Sequence, residues 1–200
     1  MSWRRWTGFS GKVERLRART EVLVVSDTSV LLNLCRVSAE GLLPELFQEV
    51  WIPPAVAAEF SRLAESRPRF HGRMLPPWVR ISPPVRVAAE VRACPDLDAG
   101  ESEALSLALE WHADAVLIDE AAGRRAAGLL KVPCVGIAGV LLRAQKSGLI
   151  PAVRPVLARR REEAGFWLHP EFEAEVLRLA GEARAKQRWQ TFSPRRSAVP

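Results

Sequence analysis

Acidic residues set against apolar neighbours are the part of this chain most able to do chemistry. Asp27 follows the aliphatic run Val22-Leu23-Val24-Val25 and Ser26, with Thr28 and Ser29 next. Asp119 follows Ala115-Val116-Leu117-Ile118 in the same way, with Glu120 next. Glu59 falls among Val56, Phe60 and Leu63 at the i, i+3, i+4, i+7 spacing of one helix face. Glu101 shares a face with Ala104, Leu105 and Ala108, whereas Glu103 aligns with Ser106, Leu107 and Glu110, a more mixed face. An acid inside an apolar stripe is costly to bury unless a cation or metal meets it. Several carboxylates at one place repel unless a divalent ion neutralises them, and oxygen-only donors suit Mg2+ or Mn2+. Phosphodiester hydrolysis is the chemistry such a site favours. A purely structural role competes for Glu101, because Asp98 is a natural N-cap and Glu101 lies three residues on, as in a capping box. Of the helix pair, Glu101 is favoured over Glu103 for the site.

The elements that must position these acids follow from the hydrophobic pattern. Residues 22–25 read as a strand buried on both faces, the kind found inside parallel sheets. Because residues 26–29 are all good N-cap types, the strand passes through a tight turn into a helix over 30–37. A second helix is predicted over 41–47, a strand over 48–52, and a helix over 55–65 behind Pro53-Pro54. Residues 66–84 read as a long loop carrying His71, with an extended piece at 78–81. Helices follow over 85–92 and from Asp98 to about His112, then a strand at 115–118 and an Ala-rich helix over 121–130. In that helix Glu120 and Arg124 are spaced as an exposed i, i+4 pair. A strand at 133–137, a helix over 140–146 and two helices over 153–163 and 171–181 complete the pattern. Phe166 and Trp167, between the last two helices, are expected to pack back onto the core. Strands separated by helices predict an α/β fold, a three-layer sandwich with a central parallel sheet. Right-handed connections bring Asp27 and Asp119 to one edge of it.

Composition narrows the alternatives. The 200 residues, 48% hydrophobic and 26% charged, suit one sizeable globular domain. No apolar run approaches the ~18 residues of a membrane span, and no secretory pattern is present. Cys35, Cys94 and Cys134 are odd in number and lack a C-x-x-C, which argues for small buried hydrophobes and a cytoplasmic location. The net charge of +6 is unevenly placed. Arg4, Arg5, Lys12, Arg15, Arg17 and Arg19 against Glu14 leave residues 1–20 at +5. Arg184, Lys186, Arg188, Arg195 and Arg196 leave residues 183–200 at +5, so residues 21–182 carry −4. Both ends are read as basic extensions, expected to be disordered, around a domain over 21–182. With Trp3, Trp6, Trp189 and Phe192 interleaved, they would also suit a nucleic-acid backbone and base stacking. Dinucleotide, P-loop, G-x-S-x-G and H-E-x-x-H patterns are absent from the sequence, and His71, His112 and His169 are far apart.

Several segments together resemble the PIN-domain family: Val25-Ser26-Asp27-Thr28-Ser29, Ile52-Pro53-Pro54-Ala55-Val56 leading to Glu59, Leu97-Asp98-Ala99-Gly100-Glu101-Ser102-Glu103-Ala104, and Leu117-Ile118-Asp119-Glu120. Gly139-Val140-Leu141 and Lys146-Ser147-Gly148-Leu149-Ile150-Pro151 extend the likeness, which covers about residues 22–182. It is to an uncharacterised PIN-like branch related to the toxin ribonucleases of toxin–antitoxin systems. The resemblance implies an endoribonuclease dependent on Mg2+ or Mn2+, with RNA as substrate, a small antitoxin protein as partner, and a homodimer as an open alternative. It carries the acidic cluster onto Asp27, Glu59, Glu101 and Asp119, with Thr28 or Ser29 as supporting hydroxyls and Glu103 and Glu120 as alternates. The family often has Asp where this chain has Glu101, and commonly Asp again where it has Glu120. Two other functions remain open: a catalytically weak PIN-fold module that binds an antitoxin or RNA, and a small-molecule phosphohydrolase.

Overall fold

The computed structural model describes residues 22–66, 72–164 and 169–183, and the side chains of 160–164 are not among those described. Five parallel strands form the central sheet in the order β3-β2-β1-β4-β5. They are β1 (Leu23–Ser26), β2 (Glu49–Ile52), β3 (Val79–Ile81), β4 (Ala115–Leu117) and β5 (Cys134–Val135). From β1 the chain builds outward to β2 and β3, then returns to place β4 on the other side of β1. The order therefore reverses between β1 and β4, where Ser26 is in register with Leu117. Open α/β sheets place ligands at such a switch point, beyond the carboxyl ends of the strands.

Alternate residues of each strand face opposite layers. Val24, Ala115 and Leu117 join one core with helices α1 (Thr28–Arg36), α2 (Leu42–Leu46), α3 (Pro54–Ser66) and α7 (Ile137–Lys146). Helices α8 (Arg154–Ala164) and α9 (Pro170–Leu179) pack on the same side. Val25, Val116 and Ile118 face the other core, with α4 (Ala89–Arg92), α5 (Ala99–Glu110) and α6 (Ala121–Leu129). The three-layer sandwich predicted from the pattern is present.

Local differences have physical causes. Helix α1 begins at Thr28 because Asp27 itself caps it, its side chain accepting from the Ser29 N–H. The helix predicted over 85–92 shrinks to α4. The Val85 N–H is taken by Glu110 at 2.8 Å and the Ala88 N–H by the Ser106 hydroxyl at 3.0 Å. With these donors committed to α5, the helix starts only at Ala89, after an extended Ala88. The piece at 78–81 is a true edge strand, and α7 starts three residues earlier than predicted, straight after Gly136. All three cysteines are free, and burial pushes the Cys35 thiol up to about 12, as suits an inert core residue. His71, Phe166, Trp167 and nearly all of both basic ends lie outside the described residues.

Leu31, fully buried in the larger core, sets a measure of the packing. Leu31→Ala should cost about 3 kcal/mol, within the usual range for a buried leucine. The check is a lower urea midpoint with an unchanged slope.

Candidate active site

Asp27 is 2% exposed at the end of β1. Its Oδ2 accepts from the Ser29 backbone N–H at 3.2 Å and from the Ser29 hydroxyl at 2.8 Å. The same hydroxyl accepts from the Asp119 N–H at 3.3 Å, so one side chain ties together the ends of β1 and β4. The Asp119 Oδ1 in turn accepts from the Ile137 N–H at 3.3 Å, which fixes it at the start of α7. Thr28 donates its hydroxyl to Glu59 Oε2 at 2.7 Å and so joins α3 to this edge. The exposed Arg62 pairs loosely with Glu59 at 3.7 Å, a contact of little energetic weight.

Glu101 and Glu103, which helical spacing sets on different faces of α5, take different partners. Glu101 is 2% exposed; its Oε2 accepts from the Asp98 N–H at 3.2 Å and its Oε1 from the Gly123 N–H in α6 at 3.0 Å. With the Glu101 N–H bonded to Asp98 Oδ1 at 2.7 Å, this is a complete capping box. Glu103 accepts from the Ala55 N–H at 3.0 Å and serves the first turn of α3. The inward position of Glu101 and its capping role, competing explanations in the sequence, coexist.

Missing Cβ atoms make room for the acids. A Cβ on Gly123 would stand 2.5 Å from Glu101 Oε1, and one on Gly136 would stand 2.6 Å from both Asp119 Oδ1 and Arg124 Nη1. A Cβ on Gly100 would touch both Asp27 Oδ1 and Asp98 Oδ1 at 3.4 Å. Arg124 thus lies beside Asp119 as well as one turn along from Glu120.

The electrostatics follow from this crowding. Burial pushes the Asp27 carboxyl above the usual aspartate range. The Ser29 hydroxyl and the Thr28 and Ser29 N–H groups hold it back, and the Asp98 charge adds to the rise. Glu101 is pushed up to about 7, first by burial and then by Asp98 and Asp27, against the pull of the Asp98 and Gly123 N–H groups. Glu120 is also raised, by desolvation first and then by Asp27, Asp98, Glu59 and Asp119. Glu120 therefore lies within the electrostatic field of the cluster.

The Asp98 charge also bears on Asp27, Glu101 and Glu120, which spacing in the sequence does not reveal. The capping role of Asp98 hid it, although the cap of the helix that carries Glu101 must stand at the same edge of the sheet. Among the described residues no three His, Cys, Asp or Glu side chains close on a single point as metal ligands would. The acids share a field rather than a finished coordination sphere. A hard divalent cation fits their chemistry: the donors are oxygen only, and the glycine gaps let them approach.

A family model described as PIN domain matches residues 23–182. No curated protein and no solved structure matches the chain.

The raised carboxyls predict a sign for the pH dependence of stability. With its folded-state value near 7 against an ordinary 4.5, Glu101 binds a proton in the fold where the unfolded chain has already released it. Stability should therefore fall as pH rises from about 4.5 to about 7 and level off above. Melting temperatures without divalent ions should show this decline, and Glu101→Gln should flatten it. An equally steep decline in Glu101→Gln would place its origin elsewhere.

Proposed function

The chain belongs to the PIN-domain family, and from that premise we propose that it is a metal-dependent endoribonuclease. PIN domains are generally nucleases. The observation that carries the reading is the crowding of Asp27, Asp98, Glu101, Asp119 and Glu120 at the switch point, with the Asp27, Glu101 and Glu120 carboxyls all raised. Mg2+ or Mn2+ would be held by Asp27, Glu101 and Asp119, with Asp98 and Glu59 at the rim. When bound, such an ion activates water and offsets charge on the phosphoryl group.

The chain's own groups have distinct parts. Ser29 keeps Asp27 and Asp119 in a fixed relation. Asp27 Oδ1 faces Gly100, while Oδ2 takes the Ser29 bonds. Glu120, more exposed than Asp27 or Glu101 and surrounded by acids that raise its proton affinity, is placed to take a proton from the attacking water. Glu59, fixed by Thr28, orients water at the outer side.

The toxin half of a toxin–antitoxin pair is the proposed setting, on the strength of the likeness in Ile52-Pro53-Pro54 and Leu97-Asp98-Ala99-Gly100-Glu101. A second reading, a PIN-fold module that binds RNA or an antitoxin without cutting, is favoured by one observation. Both Glu101 oxygens already accept backbone N–H groups. Among the described residues, no helix is long and apolar enough to cross a membrane.

Cleavage of an RNA pool with and without Mg2+ or Mn2+ separates the readings. The chain should cut only with the ion, and Asp27→Asn should lose activity by more than about 100-fold, beyond what loss of a supporting partner costs. Asp27→Asn should keep its melting temperature but lose the stabilisation that Mn2+ gives the unmodified chain. Full cutting by Asp27→Asn refutes the proposal, and absent cutting with intact RNA binding supports the second reading.

A further inference from the structure

A cation stands among the acids of this edge. Arg124 lies in the first turn of α6, half-buried, one residue after the Gly123 whose N–H serves Glu101. Close to it is Gly136, buried at the start of α7. Gly136 has φ −93° and ψ −179°, an extended backbone open to any residue, so its missing side chain answers to space and not to conformation. Arg124 and Asp119 share that space. A Cβ on Gly136 would stand 2.6 Å from Arg124 Nη1 and 2.6 Å from Asp119 Oδ1, so guanidinium and carboxylate are no farther apart than twice that distance. The two differ in freedom: Asp119 is tied to the Ile137 N–H, whereas Arg124 ends a long flexible side chain. The neighbouring Arg125 turns elsewhere, to Asp96 at 3.8 Å on an exposed surface.

The charge balance at this edge gives such a cation a task. Asp27, Asp98, Asp119 and Glu120 act on one another here, in a domain of net −4, and a divalent ion would offset only part of their charge. An RNA phosphate brings a further negative charge and is repelled by what remains. A guanidinium inside the cluster offsets that repulsion at the point of contact. Its fork of donors matches two phosphate oxygens at once, and it stays charged across physiological pH. Asp119 holds the guanidinium in readiness. A carboxylate engaged by a metal ion attracts it less, and a phosphate can then take the place of that carboxylate.

We propose that Arg124 is a substrate-binding residue of the acidic site, exchanging Asp119 for a backbone phosphate of single-stranded RNA. The proposal rests on the RNA reading of the site and deepens it, by naming the group that receives a polyanion inside a cluster of acids. Asp119 keeps its Ile137 contact through the exchange and stays in place among the acids. Phosphate is common to every nucleotide, so Arg124 adds affinity without sequence preference.

The experiment measures binding of a fluorescent single-stranded RNA with Mn2+ across a salt series, by anisotropy. All chains are full-length and carry Glu120→Gln, so that bound RNA stays intact. Adding Arg124→Gln should weaken binding ~10-fold, the scale of one charged hydrogen-bonding partner. The slope of log K against log salt should become shallower by about 0.7, one phosphate contact on a single strand. Arg124→Lys keeps the charge and loses the fork, so it should restore the slope but only part of the affinity. Other basic residues are common to these chains, and their contributions cancel in the comparison. Mn2+ binding without RNA, followed by calorimetry, should be unchanged or tighter in Arg124→Gln, because Asp119 then has no competing guanidinium. An unchanged RNA affinity or an unchanged slope in Arg124→Gln overturns the proposal. So does weaker Mn2+ binding, the mark of an arginine that only holds Asp119 in place. If the chain with Glu120 intact never cuts RNA, yet RNA binding depends on Arg124, the proposal stands and only the catalytic reading falls.

Discussion

Like charges crowded at the end of a sheet must be held by something, and here backbone N–H groups at helix starts hold them. Asp27 accepts at the start of α1, Asp98 at the start of α5, Glu101 from Gly123 in α6, Asp119 from Ile137 in α7, and Glu103 from Ala55 in α3. A parallel α/β sheet delivers these helix starts to the same edge as the strand ends. Each start carries unpaired donors and a positive partial charge. The acids satisfy donors that would otherwise be orphaned, and the donors offset part of the repulsion between the acids. Helix capping thus uses the same carboxylates that crowd this edge of the sheet.

That economy has a cost in stability. Asp27, Glu101 and Glu120 all bind protons more readily than free carboxyls, because burial and neighbouring acids disfavour their charged forms. Such displaced values in a cleft mark functional sites more often than structural ones. Their neighbours are correspondingly constrained: Ser29 must bridge two strand ends, and Gly123 and Gly136 must remain without side chains. Beneath this crowded edge lie two apolar layers with Leu31, Phe60, Leu105 and Leu117 fully buried in them.

Charge is organised along the molecule as well as within the site. The match to the family covers residues 23–182, which hold the acids, whereas the basic residues at either end lie outside it. A domain whose residues 21–182 carry a net charge of −4 has little electrostatic attraction of its own for a polyanion.

The sequence by itself determined the sheet, its parallel sense and the strand-end acids Asp27 and Asp119. An aliphatic run that ends abruptly in a polar residue has little freedom about where it lies. It also placed Glu59 and Glu101 on inward faces, since helical spacing alone decides which side chains share a side. Only the tertiary structure supplied the partners of Glu101 and Glu103, because their donors, Gly123 and Ala55, come from other elements far along the chain. The same holds for the short α4, whose preceding N–H groups are claimed by Glu110 and Ser106. Asp98 and Glu120 gained their places through fields that act across space and leave no periodic trace. Local pattern says which residues can be buried; which of them meet depends on the packing of distant segments.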